Sequence, residues 1–106
     1  MNTTNIFNIP KKTSEDEFFE ILFKNNDIKI ERIVSYGIPS PDNFWYEQRE
    51  YEWLVLIEGS AVIKYICGKE VHLKKGDTLF IPPMEKHRVE KVSNPCIWIT
   101  AKGLSK

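Results

Sequence analysis

At 106 residues the chain can build one hydrophobic core but not a catalytic domain plus a regulatory one. Its 15 basic and 15 acidic residues cancel, so no net field favours nucleic acid or an anionic membrane as partner. The first ten residues lack the charged and then apolar segments of a signal peptide. The longest apolar run, Trp53 to Ile57, is far shorter than the roughly 20 residues of a membrane-spanning helix. A cytoplasmic location is expected by default. Cys67 and Cys96 sit in apolar, strand-like runs without Cys-x-x-Cys spacing, which favours buried free thiols over a disulfide or a metal pair.

In chain order, the first predicted element is a helix. Ser14-Glu15-Asp16-Glu17 has the form of a capping box, and Phe18, Ile21 and Leu22 follow at helical spacing until Asn25-Asn26-Asp27 stops the pattern. The expectation is one amphipathic helix of about three turns, packed outside the remaining fold or closing one end of it. From Ile28 the period changes to two. Ile28 to Val34, Glu52 to Ile57, Ala61 to Cys67, Glu70 to Leu73, Thr78 to Ile81, His87 to Val92 and Cys96 to Ala101 are short, β-branched or aromatic, and separated by Gly, Pro, Asn or Asp. Such strands predict a sandwich or closed barrel, which removes exposed edges. The chain therefore divides into an N-terminal extension with a short helix, residues 1–27, and a β-domain, residues 28–106.

Alternation separates the two faces of the strand from Glu52: Glu52, Leu54 and Leu56 share one, and Trp53, Val55 and Ile57 the other. The second face is wholly apolar and needs cover, which the helix or a second subunit would supply. Trp53 and Val55 are the candidate contacts of a homodimer.

Two segments carry chemistry. One runs from Trp45 through Glu52 to Gly59, and the other is Gly76-Asp77-Thr78-Leu79-Phe80-Ile81-Pro82-Pro83-Met84-Glu85-Lys86-His87. Together they resemble the two motifs of the cupin family, over about Phe44 to Thr100. In that family the first motif supplies two histidines and a glutamate, the second supplies one histidine, and the four hold a divalent metal. The resemblance implies an all-β fold, a cupin-type jelly-roll β-barrel (a double-stranded β-helix), here with the short N-terminal helix. It also implies that the Glu52 face looks inward.

Glu52, Gly59, Gly76, Pro82 and His87 match the family pattern, whereas both first-motif histidines are absent. In the shorter of the family's two frames their places are taken by Tyr46 and Gln48, which share the parity of Glu52. In the longer frame they are Trp45 and Glu47, which would need a bulge to face inward. The family's second-motif glycine is replaced by Met84 and its terminal asparagine by Lys91. The metal set that the resemblance implies is thus Gln48, Glu52 and His87, for zinc, nickel, iron or manganese. An amide and a phenol are weak ligands for such ions, so a Glu52 to His87 hydrogen bond in a metal-free cavity competes with metal binding.

Trp45, Tyr46, Leu54, Leu56 and Trp98 are the candidate ligand pocket, and Glu52 and Tyr46 the candidate proton-transfer groups. His72 alternates with Val71 and Leu73 and is assigned to solvent or an interface. No phosphate loop, nucleophile elbow or Cys-His pair is present. Two functions remain open. One is a small-molecule binding module, with or without a metal. The other is a metal-dependent isomerase, lyase or dioxygenase acting on a small organic substrate.

Overall fold

The computed structural model describes residues 3–11 and 17–104. Eight strands succeed one another: β1 (Phe18–Lys24), β2 (Ile28–Ser35), β3 (Tyr51–Glu58), β4 (Ser60–Tyr65), β5 (Glu70–Lys74), β6 (Thr78–Ile81), β7 (His87–Val92) and β8 (Cys96–Gly103). They form a five-stranded sheet, ordered β1-β2-β8-β3-β6, and a three-stranded sheet, ordered β5-β4-β7, with antiparallel pairing throughout. β8, the last strand, lies between β2 and β3, so the chain crosses between sheets instead of meandering. This is the jelly-roll arrangement.

All seven strands expected after Ile28 form, within a few residues of their expected ends. The inner faces enclose Leu54, Leu56, Ala61, Ile63, Tyr65, Leu73, Ile81, Cys96 and Trp98. In β3 the inward residues Glu52, Leu54 and Leu56 are buried, whereas Trp53 is 41% exposed beside its cross-strand neighbour Phe80, 53% exposed.

Glycines turn the chain where a side chain could not. At the β3–β4 junction Gly59 has φ +95°, and at the Gly-Asp turn before β6 Gly76 has φ +91°. The second turn is fixed by Asp77, whose carboxylate accepts the Lys74 amide at 2.9 Å.

The N-terminal helix does not form. Ser14 lies outside the described residues, but Phe18 to Lys24 are the edge strand β1, paired with β2. The segment's apolar residues recur at helical spacing as Phe18, Ile21 and Leu22 but also alternate as Phe19, Ile21 and Phe23, and tertiary pairing decides between the two periods. Across this pair Glu20 meets Arg32 at 2.9 Å, and the Arg32 guanidinium lies 5.7 Å from the Phe18 ring. Arg32 also ties down the chain before β1, donating to the carbonyls of Asn5, Ile6 and Asn8. The outer face of β2 is thus covered by an extended strap, not by a helix.

The cysteine expectation is half corrected. Cys96 is buried in the core, and burial pushes its thiol up to about 12. Cys67 is an exposed free thiol in the turn after β4.

Candidate functional site

Between the sheets lies a cavity of about 100 Å³, lined on its apolar side by Phe19, Ile33, Leu54, Ile63, Ile81, Val89 and Trp98. Its polar lining comes from Glu17, Tyr46, Gln48, Glu52, His87, Thr100 and Lys102. The segment before β3 is held by backbone bonds to the second motif. Tyr46 and His87 exchange amide–carbonyl bonds at 2.7 and 3.1 Å, and the Met84 amide donates to the Gln48 carbonyl at 2.7 Å. Met84, which occupies the family's glycine position, keeps a positive φ of 66°. The backbone geometry has therefore been retained without the residue that adopts it most readily.

These bonds set the order of the polar groups. The His87 ring stacks on Tyr46, with centroids 5.7 Å apart, and Phe44 packs edge-on against Tyr46 at 4.7 Å. His87 Nδ1 lies 2.8 Å from the Glu85 carbonyl oxygen, an acceptor only, so Nδ1 donates there and the neutral ring offers Nε2 as its free acceptor. Glu52 is buried, and its Oε1 accepts from Gln48 Nε2 at 3.1 Å. Glu52 and His87 thus make separate bonds, and the direct hydrogen bond that competed with a metal as the reading of this pair is not formed. For the Tyr46 phenol, burial raises the pKa most, with Glu17 and Glu52 adding to the rise and a hydrogen bond to Ser40 opposing it. At neutral pH Tyr46 is a hydrogen-bond donor, not a base.

Of the residues picked out from the sequence, Tyr46, Gln48, Glu52, Leu54, His87 and Trp98 meet in the cavity lining. Two pocket assignments need correction. Trp45, with the parity opposite to Glu52, turns away so that Arg88 lies 5.8 Å from its ring. Leu56 faces inward but is fully buried in the core, a strand step beyond the cavity wall. His72 is exposed and close to Glu70, as expected.

Eight further residues line the site, among them Glu17, Phe19, Thr100 and Lys102. Thr100 and Lys102 share the parity of Trp98 on β8, so alternation alone could have found them. Phe19 and Glu17 could not be found that way, because their segment reads as a helix. Glu17 Oε2 accepts from Ser35 Oγ at 2.7 Å, and Ser35 Oγ in turn accepts from Trp98 Nε1 at 3.1 Å.

Burial raises the Glu17 carboxyl above its ordinary value, with the Ser35 bond opposing the shift; Tyr46, Glu52, His87 and Lys102 line the same cavity. A raised folded-state value means that the folded chain holds more protons than the unfolded one between the two values. The contribution of Glu17 to stability is therefore complete below the unfolded value and is lost as pH rises through the folded one. Glu17→Gln is expected to melt higher than wild type at pH 7, with the difference closing below about pH 4. A difference in melting temperature that is constant with pH would refute the assignment.

The donor set does not suit a tightly held transition metal. The implied set of Gln48, Glu52 and His87 offers one amide, one carboxylate and one imidazole, and the described residues contain no group of three or more His, Cys, Asp or Glu arranged to hold an ion.

A two-sheet jelly roll whose inner cavity gathers a glutamate from β3 and a histidine from β7 defines a class of small β-barrel proteins. The cupin-domain family profile matches residues 40–102, and the chain belongs to the cupin family. Among solved structures, a proposed mannose-6-phosphate isomerase from Ralstonia eutropha JMP134 is similar at 30% identity and a TM-score of 0.92, covering 99% of this chain and 100% of the other. The TT1209 protein of Thermus thermophilus is similar at 14% identity, with a TM-score of 0.78 and 98% of both chains covered. A cupin superfamily protein of Desulfitobacterium hafniense DCB-2 is similar at 13% identity, with a TM-score of 0.76 and coverage of 91% of this chain and 84% of that one. These last two likenesses speak to the fold alone. No curated protein matches the chain. No helix among the described residues is long and apolar enough to cross a membrane.

Proposed function

We propose that the protein binds a small organic molecule in the barrel interior and that it does so without a resident metal. The observation that carries this reading is the convergence of Glu52, Gln48, the Tyr46 phenol and the acceptor side of His87 on one apolar-walled cavity. A fragment screen followed by nuclear magnetic resonance is expected to give shifts around Trp98 and His87 that are lost in His87→Ala and kept in His72→Ala. Shifts confined to the outer surface would overturn it.

The metal question has its own test. Zinc, nickel, manganese and iron(II) are expected to leave the melting temperature of the wild type unchanged. A resident metal at a hundredfold excess over its dissociation constant would add about 2.7 kcal/mol. A metal-dependent rise that disappears in both Glu52→Gln and His87→Ala would establish the metal site instead.

A catalytic reading draws on the Ralstonia relative. In a sugar-phosphate isomerase the candidates for proton transfer would be Glu52 and Tyr46, but a phosphate dianion would meet two carboxylates and, among the lining groups, only Lys102 and His87 as basic partners. Turnover of mannose 6-phosphate that is lost in Glu52→Gln would favour this reading over binding alone.

The exposed Trp53–Phe80 pair, with Tyr51 stacked on Phe80 at 6.2 Å, supports a homodimer built on the outer face of the five-stranded sheet. Light scattering is expected to give twice the monomer mass, reverting to the monomer in Trp53→Lys. A wild-type monomer at high micromolar concentration would rule it out. A cytoplasmic location accords with two free thiols, one of them exposed.

A further inference from the structure

Thr100 has an unusual position for a hydroxyl residue. It is 1% exposed, it lines the cavity from β8, and its Oγ1 has no hydrogen-bond partner among the described residues. A buried hydroxyl without a partner pays its desolvation uncompensated, and a valine of the same shape would avoid that cost. The cavity therefore contains a polar atom that the protein itself leaves unsatisfied.

Glu17 is a second polar group lining the cavity. It arrives from the segment before β1, and Ser35 holds one of its oxygens while Trp98 holds Ser35. β8 lies between β2 and β3 in the sheet, so Thr100 is placed between the Glu17–Ser35 side and Glu52.

We propose that Glu17 and Thr100 form a second hydrogen-bonding pole of the cavity, and that the ligand is a small neutral polyhydroxylated molecule spanning from this pole to Gln48, Glu52 and His87. The proposal rests on the cavity being a small-molecule site, and it adds the ligand's chemical class and two residues that determine it.

The lining supports that class in three ways. Glu17, Glu52, Thr100 and the free His87 nitrogen are acceptors, which suit several hydroxyl donors held in one geometry. Phe19, Tyr46 and Trp98 give ring surface for the C–H faces that such molecules carry between their hydroxyls. Two carboxylates against one lysine disfavour an anionic ligand.

Glycerol and erythritol are the probes, with glycerate as the anionic control, titrated into nitrogen-15-labelled full chain. The resonances to follow are the Trp98 indole N–H and the Thr100 amide. Saturable shifts are expected with both polyols, glycerate binding more weakly. Thr100→Val, which keeps the side chain's shape, and Glu17→Ala are each expected to weaken binding by about tenfold, the loss of a hydrogen bond to a buried or charged group. Amide dispersion reports whether each variant is folded.

Polyol affinity unchanged in both variants would overturn the second pole. If Glu52→Gln or His87→Ala then abolishes binding, the small-molecule cavity stands while this pole falls. Tighter binding of glycerate than glycerol, or no saturable shift from either polyol, would overturn the ligand class. If fragments still bind at Trp98 and His87 in that case, the cavity reading survives alone.

Discussion

Glu52→Leu is expected to raise the melting temperature of the free protein while removing its ligand binding. The Glu52 side chain is buried, with Ile81 opposite it on β6 and Leu54 next on the same face, and its hydrogen-bond partner is the Gln48 amide. Moving a carboxylate into such surroundings costs desolvation that one amide hydrogen bond only partly offsets. A leucine fills nearly the same space and continues the apolar face, and Gln48 is exposed enough to turn to water. The gain is about 1–3 kcal/mol, within the range seen when buried charges are replaced by apolar residues. Stability surrendered at one inward position is what a functional site demands. Thermal melts of wild type and variant, with and without glycerol, provide the check. A variant that melts lower than wild type would make Glu52 a structural residue and weaken the case for a site.

Gly59→Ala is expected to destabilise the fold by more than about 3 kcal/mol without touching the cavity. The residue sits at φ +95°, where an L side chain costs about 1–2 kcal/mol. The added Cβ would also lie 2.7 Å from the Pro95 carbonyl oxygen and collide with Ser93 Oγ. That oxygen belongs to backbone and cannot swing aside, so the β7–β8 turn must move, an overpacking cost of about 1–3 kcal/mol. Ser93 Oγ also accepts the Ser60 amide at 2.9 Å and donates to the Pro95 carbonyl at 3.0 Å, so the intrusion breaks the clasp between two turns. Gly68→Ala is the control, because its φ is also positive, +96°, yet nothing lies within 4 Å of the added carbon. It should lose only the backbone term. Equal losses at the two glycines, measured by urea unfolding, would show that close approach plays no part at Gly59.

The family match explains why Gly59 was legible from the chain alone. A glutamate seven residues ahead of a glycine, at the end of an apolar strand, fixes both the inward face and the turn. The likeness of Met84 to a glycine position was legible too, but only the structure shows that the backbone there kept its left-handed conformation. At the site, Tyr46, Gln48, Glu52 and His87 followed from motif spacing and strand parity. The same parity should have excluded Trp45, which needed a bulge to reach inward and does not reach it.

Everything that repeats at period two was written in the chain. From Ile28 to Ala101 each strand carries its own signature, because alternation, turn residues and β-branched side chains act within a few residues of one another. The fate of Phe18 to Lys24 was left to tertiary pairing. Its apolar residues satisfy a helical period and a strand period equally, and the choice falls to β2, which offers a free edge, an Arg32 opposite Glu20 and a ladder of backbone bonds. That choice also brought Glu17 to the cavity, more than thirty residues along the chain from Glu52. Contacts between residues so far apart depend on sheet order, which no local pattern encodes.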